Sequence, residues 1–134
     1  YQRATALEPR RPQAWGGLAL VYERLGDHER ALGAVERALA VDGGCVYRGQ
    51  LGGYLSQLGR LDEARGELQR AILECPDSAD ALNALGAVEA RQARWFQARD
   101  AWVRALRVDP EHAAAKQNLA ELEASGALEL EMSP

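Results

Sequence analysis

The sequence predicts an all-α chain of antiparallel helix pairs that recur along its length. Three observations predict it. Alanine columns keep a fixed period: Ala4, Ala38, Ala71 and Ala105 are spaced by 34, 33 and 34 residues, and Ala31, Ala64 and Ala98 by 33 and 34. Apolar residues within a unit recur at helical spacing, as Trp15, Leu18, Ala19 and Tyr22 do. Proline or glycine closes each unit, at Pro9, Gly43, Pro76 and Pro110. Further columns keep the same register: Leu18, Leu51 and Leu85; Ala19, Gly52 and Gly86; Leu39, Ile72 and Leu106.

Taken in order, residues 1–11 read as the end of a preceding repeat, with Tyr1, Ala4 and Pro9 in register. Residues 12–44 form the first full unit. Its first helix carries Trp15, Leu18, Ala19 and Tyr22 on one face, and "ERLGD" breaks it, since Gly26 suits the left-handed conformation that ends a helix and Asp27 can cap the next. Ala31, Leu32, Val35, Ala38 and Leu39 make the apolar stripe of the second helix. Small residues at positions 19, 31 and 38 let two backbones approach closely. Residues 45–78 and 79–112 repeat the pattern, although the turn of the last unit has Ala93 where the others have Gly26 and Gly59. Residues 113–125 read as a capping helix stopped by Ser125–Gly126. Residues 126–134 form an acidic tail, expected to be flexible, in which alternation of Leu128, Leu130 and Met132 with Glu129 and Glu131 suits an extended segment. Such a tail could dock its carboxylates on Arg24 or Arg91 of its own or a neighbouring molecule. A half-repeat at the start leads to the expectation that further repeats precede Tyr1.

These residues resemble the tetratricopeptide repeat (TPR) family, whose signature runs W-x2-L-G-x2-Y, then A-x3-F, then P. Trp15, Leu18, Ala19 and Tyr22, with Ala31 and Val35, follow it. The second unit keeps Leu51, Gly52, Ala64, Ala71 and Pro76 but has Arg48 and Leu55 at the Trp and Tyr places. The third keeps Leu85, Gly86, Ala98, Ala105 and Pro110 but has Leu82 and Glu89 there. The resemblance implies a right-handed α-solenoid of about three full repeats, with an N-terminal half-repeat and a C-terminal capping helix. It also implies a concave groove lined by the first helix of each repeat. Carried onto this chain, the groove residues are Gln13, Gly16, Leu20 and Arg24; Gly49, Gly53, Ser56 and Gln57; Asn83, Ala87, Ala90 and Arg91; and Gln117 of the cap. Glu23, Val46, Asp80, Ala114 and Glu121 occupy further groove places.

Gly49, Gly52 and Gly53 fall within five residues of one helix, each costing about 1 kcal/mol relative to alanine. Gly52 takes the place the family keeps small for packing. Gly49 and Gly53 face the groove, and two readings stay open: with Gly16 and Ala87 they make a smooth-floored channel, or the helix is simply weak and held by its neighbours. Arg24 and Arg91 hold equivalent places two repeats apart and suit carboxylates. Gln57 and Asn83 suit a peptide backbone. The Lys, Asn and Arg that hold chaperone tails in some TPR domains are not present: Gly16, Leu20, Gly49 and Gly53 stand in those regions.

Composition excludes several classes of function. The chain carries 16 basic and 20 acidic residues, an excess read as spread along the length, which argues against a nucleic-acid binder. The stretch from Ala14 to Tyr22 is too short to span a bilayer. With no leader segment the expected compartment is the cytoplasm, although the chain opens at Tyr1 without Met. His28 and His112 are not at metal-ligand spacing, and neither can activate Ser56, Ser78, Ser125 or Ser133. No cofactor or catalytic residue is predicted. Cys45 and Cys75 lie at the same end of one repeat, and two free thiols are expected over a disulfide. The reading is a non-enzymatic scaffold that binds a partner peptide or helix in the groove. Two other readings are open: a recruiting portion of a larger enzyme such as a transferase, and a module that self-associates through its ends or tail.

Overall fold

The computed structural model describes residues 12–41 and 44–132. Every regular element among them is a helix: α1 (Pro12–Arg24), α2 (His28–Val41), α3 (Cys45–Gln57), α4 (Leu61–Glu74), α5 (Ala79–Arg91), α6 (Trp95–Val108), α7 (Ala113–Ser125) and α8 (Ala127–Met132). The chain divides into two compact units, Tyr1–Glu74 and Cys75–Pro134. The half-repeat expected over residues 1–11 lies outside the described residues.

In the first unit α1 packs on α2, α2 on α3, and α3 on α4. In the second, α5 packs on α6, α6 on α7 and α8, and α7 on α8, with a lesser contact of α5 with α7. The alanine columns explain how helices come so close. Ala31, Ala64 and Ala98 are 0% exposed, and so are Ala38, Ala71 and Ala105. A methyl group at these six places removes apolar area from water without holding the backbones apart.

Three turns share one hydrogen-bond pattern. Asp27 N–H donates to the Tyr22 carbonyl at 2.8 Å and Gly26 N–H to Glu23 at 3.0 Å. Arg60 donates to Leu55 (2.9 Å) and Gly59 to Ser56 (3.0 Å); Arg94 donates to Glu89 (2.9 Å) and Ala93 to Ala90 (3.0 Å). This is the Schellman closure, which needs a left-handed residue in the penultimate place. Gly26 and Gly59 supply it at φ 76° and 80°, while Ala93 adopts φ 58° with a Cβ attached. Asp27 caps α2 as expected, its Oδ1 accepting from Arg30 N at 3.1 Å.

Two of the four substituted family places, Arg48 and Glu89, are filled by ion pairs. Arg48, at the Trp place of the second repeat, has Nη1 3.0 Å from Glu67 Oε2 and Nε 3.3 Å from Glu74 Oε1. Glu89, at the Tyr place of the third, is only 4% exposed and pairs with Arg94 Nε at 3.2 Å. A buried carboxylate needs such a partner.

Two expectations are corrected. No cysteine among the described residues is free: Cys45 and Cys75 are both disulfide-bonded. Cys45 opens α3 and Cys75 follows directly on α4. The segment after Gly126 is a helix rather than extended. Gly126 turns left-handed (φ 76°), Ser125 Oγ accepts from Ala127 N at 3.1 Å, and α8 then folds against α6 and α7. Period-two alternation misleads here because the first residues of α8 are set by this cap and by packing, which the alternation does not report.

Candidate functional site

The first helices of the repeats are α1, α3 and α5, and α7 occupies the same place in the cap. In the first unit, Leu20 on α1 is 48% exposed and Val46 on α3 is 66% exposed, both large apolar residues turned to water. Arg24 is exposed in the last turn of α1. Glu23 beside it is engaged internally, because Tyr54 Oη donates to its Oε2 at 3.2 Å. Burial first, and then the neighbouring Glu23 carboxylate, push the Tyr54 hydroxyl up to about 12. Gln13 and Gly16 belong to the backbone of α1, and their side-chain places lie outside the described residues.

The three glycines of α3 separate cleanly. A Cβ on Gly52 would fall 2.5 Å from Leu68 Cγ and 2.8 Å from Leu68 Cδ2. On Gly49 or Gly53 it would meet no heavy atom within 4 Å. The first is therefore a packing glycine, and the other two leave open space where a side chain would stand. Ser56 is half-buried and Gln57 exposed on the same stretch. Gly86 of α5 repeats the Gly52 arrangement: a Cβ there would run into the Trp102 indole, 2.6 Å from Cδ1. Trp102 Nε1 donates to the Asn83 carbonyl at 3.1 Å, which anchors the indole over the glycine.

In the second unit Ala87 and Ala90 are half-buried and Arg91 is exposed on α5. Asn83 is tied to the cap, its Oδ1 accepting from Asn118 Nδ2 at 3.1 Å. Gln117 is exposed and donates to Glu121 Oε1 at 3.0 Å, one turn on. His112 closes the N-terminus of α7: Nδ1 accepts from Ala115 N at 3.2 Å, so Nε2 carries the proton it shares with Asp80 Oδ1 at 2.8 Å. A cleft of about 460 Å³ opens beside Ala90, walled by Trp95, Trp102, Leu122 and Ala127, with Asn118, Glu121 and Ser125 as its polar lining. Ala90 and Glu121 were expected at groove places, whereas the two tryptophans and Asn118 were not. The available signal was the seven-residue spacing of Trp95 and Trp102, which puts both on one face of α6.

The acidic excess is not spread along the chain. Residues 1–116 carry 16 acidic and 16 basic side chains, so the whole net charge of −4 lies in residues 117–134, which hold Glu121, Glu123, Glu129 and Glu131 and no Lys or Arg. Among the described residues no group of three or more His, Cys, Asp or Glu could hold a metal ion. No helix among them is long and apolar enough to cross a membrane.

Comparison with known proteins gives a consistent result. No curated protein sequence matches the chain. Among solved structures, the first TPR of Spaghetti (RPAP3) bound to the HSP90 peptide SRMEEVD superposes with a TM-score of 0.80 at 15% identity, over 87% of this chain and 94% of that one. The Arabidopsis OM64 TPR domain superposes with a TM-score of 0.80 at 16% identity, over 84% of this chain and 94% of that one. MamA superposes with a TM-score of 0.80 at 22% identity, over 95% of this chain and 75% of that one. At such identities the likeness is one of fold. The tetratricopeptide repeat profile matches residues 1–44 and 50–102. By that match, and by the repeated helical hairpins above, this chain belongs to the tetratricopeptide repeat family.

Proposed function

We propose that the chain is a non-enzymatic protein-interaction module that holds a peptide segment or helix of a partner against the first-helix faces of its repeats. The observation that carries this reading is the open floor of α3: Gly49 and Gly53 have nothing within 4 Å of where a Cβ would stand, although each glycine costs its helix about 1 kcal/mol. Exposed Leu20 and Val46 offer apolar area for burial on binding. In the second unit Arg91 and Gln117 are exposed on α5 and α7 and offer polar groups for a partner.

Two solved neighbours support the reading by analogy of fold, since the two TPR domains of RPAP3 were determined with the chaperone peptides SRMEEVD and SGPTIEEVD. This chain would take a different peptide, because Leu20, Gly49 and Gly53 offer no charge to an acidic terminus. Affinity capture from native lysate tests the proposal, comparing the native chain with a Gly49→Gln, Gly53→Arg, Arg91→Glu variant. A protein retained by the native chain and lost by the variant supports it. Equal retention by both would move binding away from these faces and end the proposal.

A further inference from the structure

Resting on that reading, we infer that the cleft beside Ala90 receives a basic side chain of the bound partner, arginine in preference to lysine. Its walls and rim point to a cation. Half-buried Trp95 borders the cleft with an indole, a group whose π face attracts a guanidinium and whose apolar surface suits the methylene stem, while Trp102, 4% exposed, forms an apolar floor. Trp102 is anchored through Nε1 to the Asn83 carbonyl, so the ring is held in place before anything binds. The rim offers acceptors. Asn118 gives its Nδ2 to Asn83 Oδ1 at 3.1 Å, which turns its own carbonyl oxygen away from that bond. The Glu121 carboxylate accepts one bond from Gln117 at 3.0 Å and has lone pairs left for a guanidinium. No Lys or Arg lines the cleft.

Of the residues that line the cleft, Glu121 is the one that carries charge. All of the net charge of −4 lies in residues 117–134, which supply the α7 and α8 walls. A cationic side chain is attracted from a Debye length away, about 8–10 Å at ordinary ionic strength, and an acidic one is repelled. Arginine is favoured over lysine because its planar, weakly hydrated head can stack on an indole while forking onto a carboxylate. The preference is opposite in sign to the acidic peptides SRMEEVD and SGPTIEEVD held by the RPAP3 domains of similar fold.

The test uses the full 134-residue chain with nitrogen-15-labelled indoles and two probes, Ac-Ala-Leu-Arg-Leu-Ala-NH2 and its citrulline twin, which keeps the shape and removes the charge. The expected result is saturable movement of the Trp95 and Trp102 indole signals with Trp15 unmoved. The citrulline peptide should bind about tenfold more weakly, a difference of about 1.4 kcal/mol. Glu121→Gln should bring the arginine peptide down to the citrulline level; Glu121 is exposed, so the variant keeps the fold. Equal binding of the two peptides, or movement confined to Trp15, overturns the inference. So does concentration-dependent movement of Trp95 without peptide, which would assign the cleft to a second copy of the chain. A partner captured equally by native and Glu121→Gln protein, yet lost by the Gly49→Gln, Gly53→Arg, Arg91→Glu variant, overturns the cleft assignment and leaves the interaction module standing.

Discussion

Gly52→Ala should destabilise the first unit, whereas Gly53→Ala, one residue along the same helix, should stabilise it. Both changes relieve the helix of a glycine, a gain of about 1 kcal/mol. At Gly53 the new methyl meets nothing within 4 Å, so the gain stands alone. At Gly52 it would lie 2.5 Å from Leu68 Cγ, about 1 Å inside ordinary carbon–carbon contact. Leu68 is 0% exposed and has no room to retreat, so the overlap should cost about 2 kcal/mol, leaving a net loss of about 1 kcal/mol. The two variants should therefore differ by about 2 kcal/mol. The other repeats supply a rescue. Position by position, Gly52 and Leu68 correspond to Ala19 and Val35 in the first repeat and to Gly86 and Trp102 in the third. Alanine on the first helix goes with the smallest partner, and glycine with the larger ones. Leu68→Val alone should cost about 1 kcal/mol, yet combined with Gly52→Ala it should recreate the Ala19–Val35 pair and recover most of the loss. Urea denaturation followed by circular dichroism, on all four members of the cycle, measures the coupling. If Gly52→Ala raises the midpoint as much as Gly53→Ala, or the double variant shows additive losses, the packing account of this glycine is wrong.

Three further outcomes are expected. Ala93→Gly should raise stability by about 1 kcal/mol by relieving a left-handed alanine at φ 58°, and a lower denaturation midpoint would refute the strain argument. Tyr54 holds its proton up to about pH 12 in the folded chain and loses it near pH 10 when unfolded, so its contribution is complete below about pH 10 and is lost between about 10 and 12. After discounting for solvent screening it amounts to about 1–2 kcal/mol; tyrosinate absorbance of native against Tyr54→Phe protein should place the difference above the ordinary tyrosine range, and a step near pH 10 would contradict it. Finally, amides of α3 should exchange faster than those of α1 and α5, since α3 carries three glycines and its N-cap Gly44 makes no side-chain hydrogen bond. Equal protection across the three helices would count against the glycine argument.

The repeat register, the helix pairs and the buried alanine columns could all be read from sequence. Each depends on spacings of three or four residues within a helix, or on one unit recurring every 33 or 34 residues. The turns were equally readable, because a left-handed residue at Gly26 or Gly59 and a cap at Asp27 are local demands of the backbone. Resemblance to the family placed Ala90, Arg91 and Asn83 on the correct helix, but not what they face. That Asn83 would be taken by Asn118, 35 residues away, depends on side-chain reach across α5 and α7. The burial of Glu89 against Arg94, and the pairing of Arg48 with Glu67 and Glu74, were hidden for the same reason. The sequence by itself determined the family, the period and which face of each helix is apolar, because these follow from local periodicity. Only the tertiary structure decided that Gly52 packs while Gly49 and Gly53 stand open, and that Trp95 and Trp102 wall a cleft beside Glu121. Those outcomes depend on which atoms of one helix meet another, and no spacing along a single helix encodes that distance.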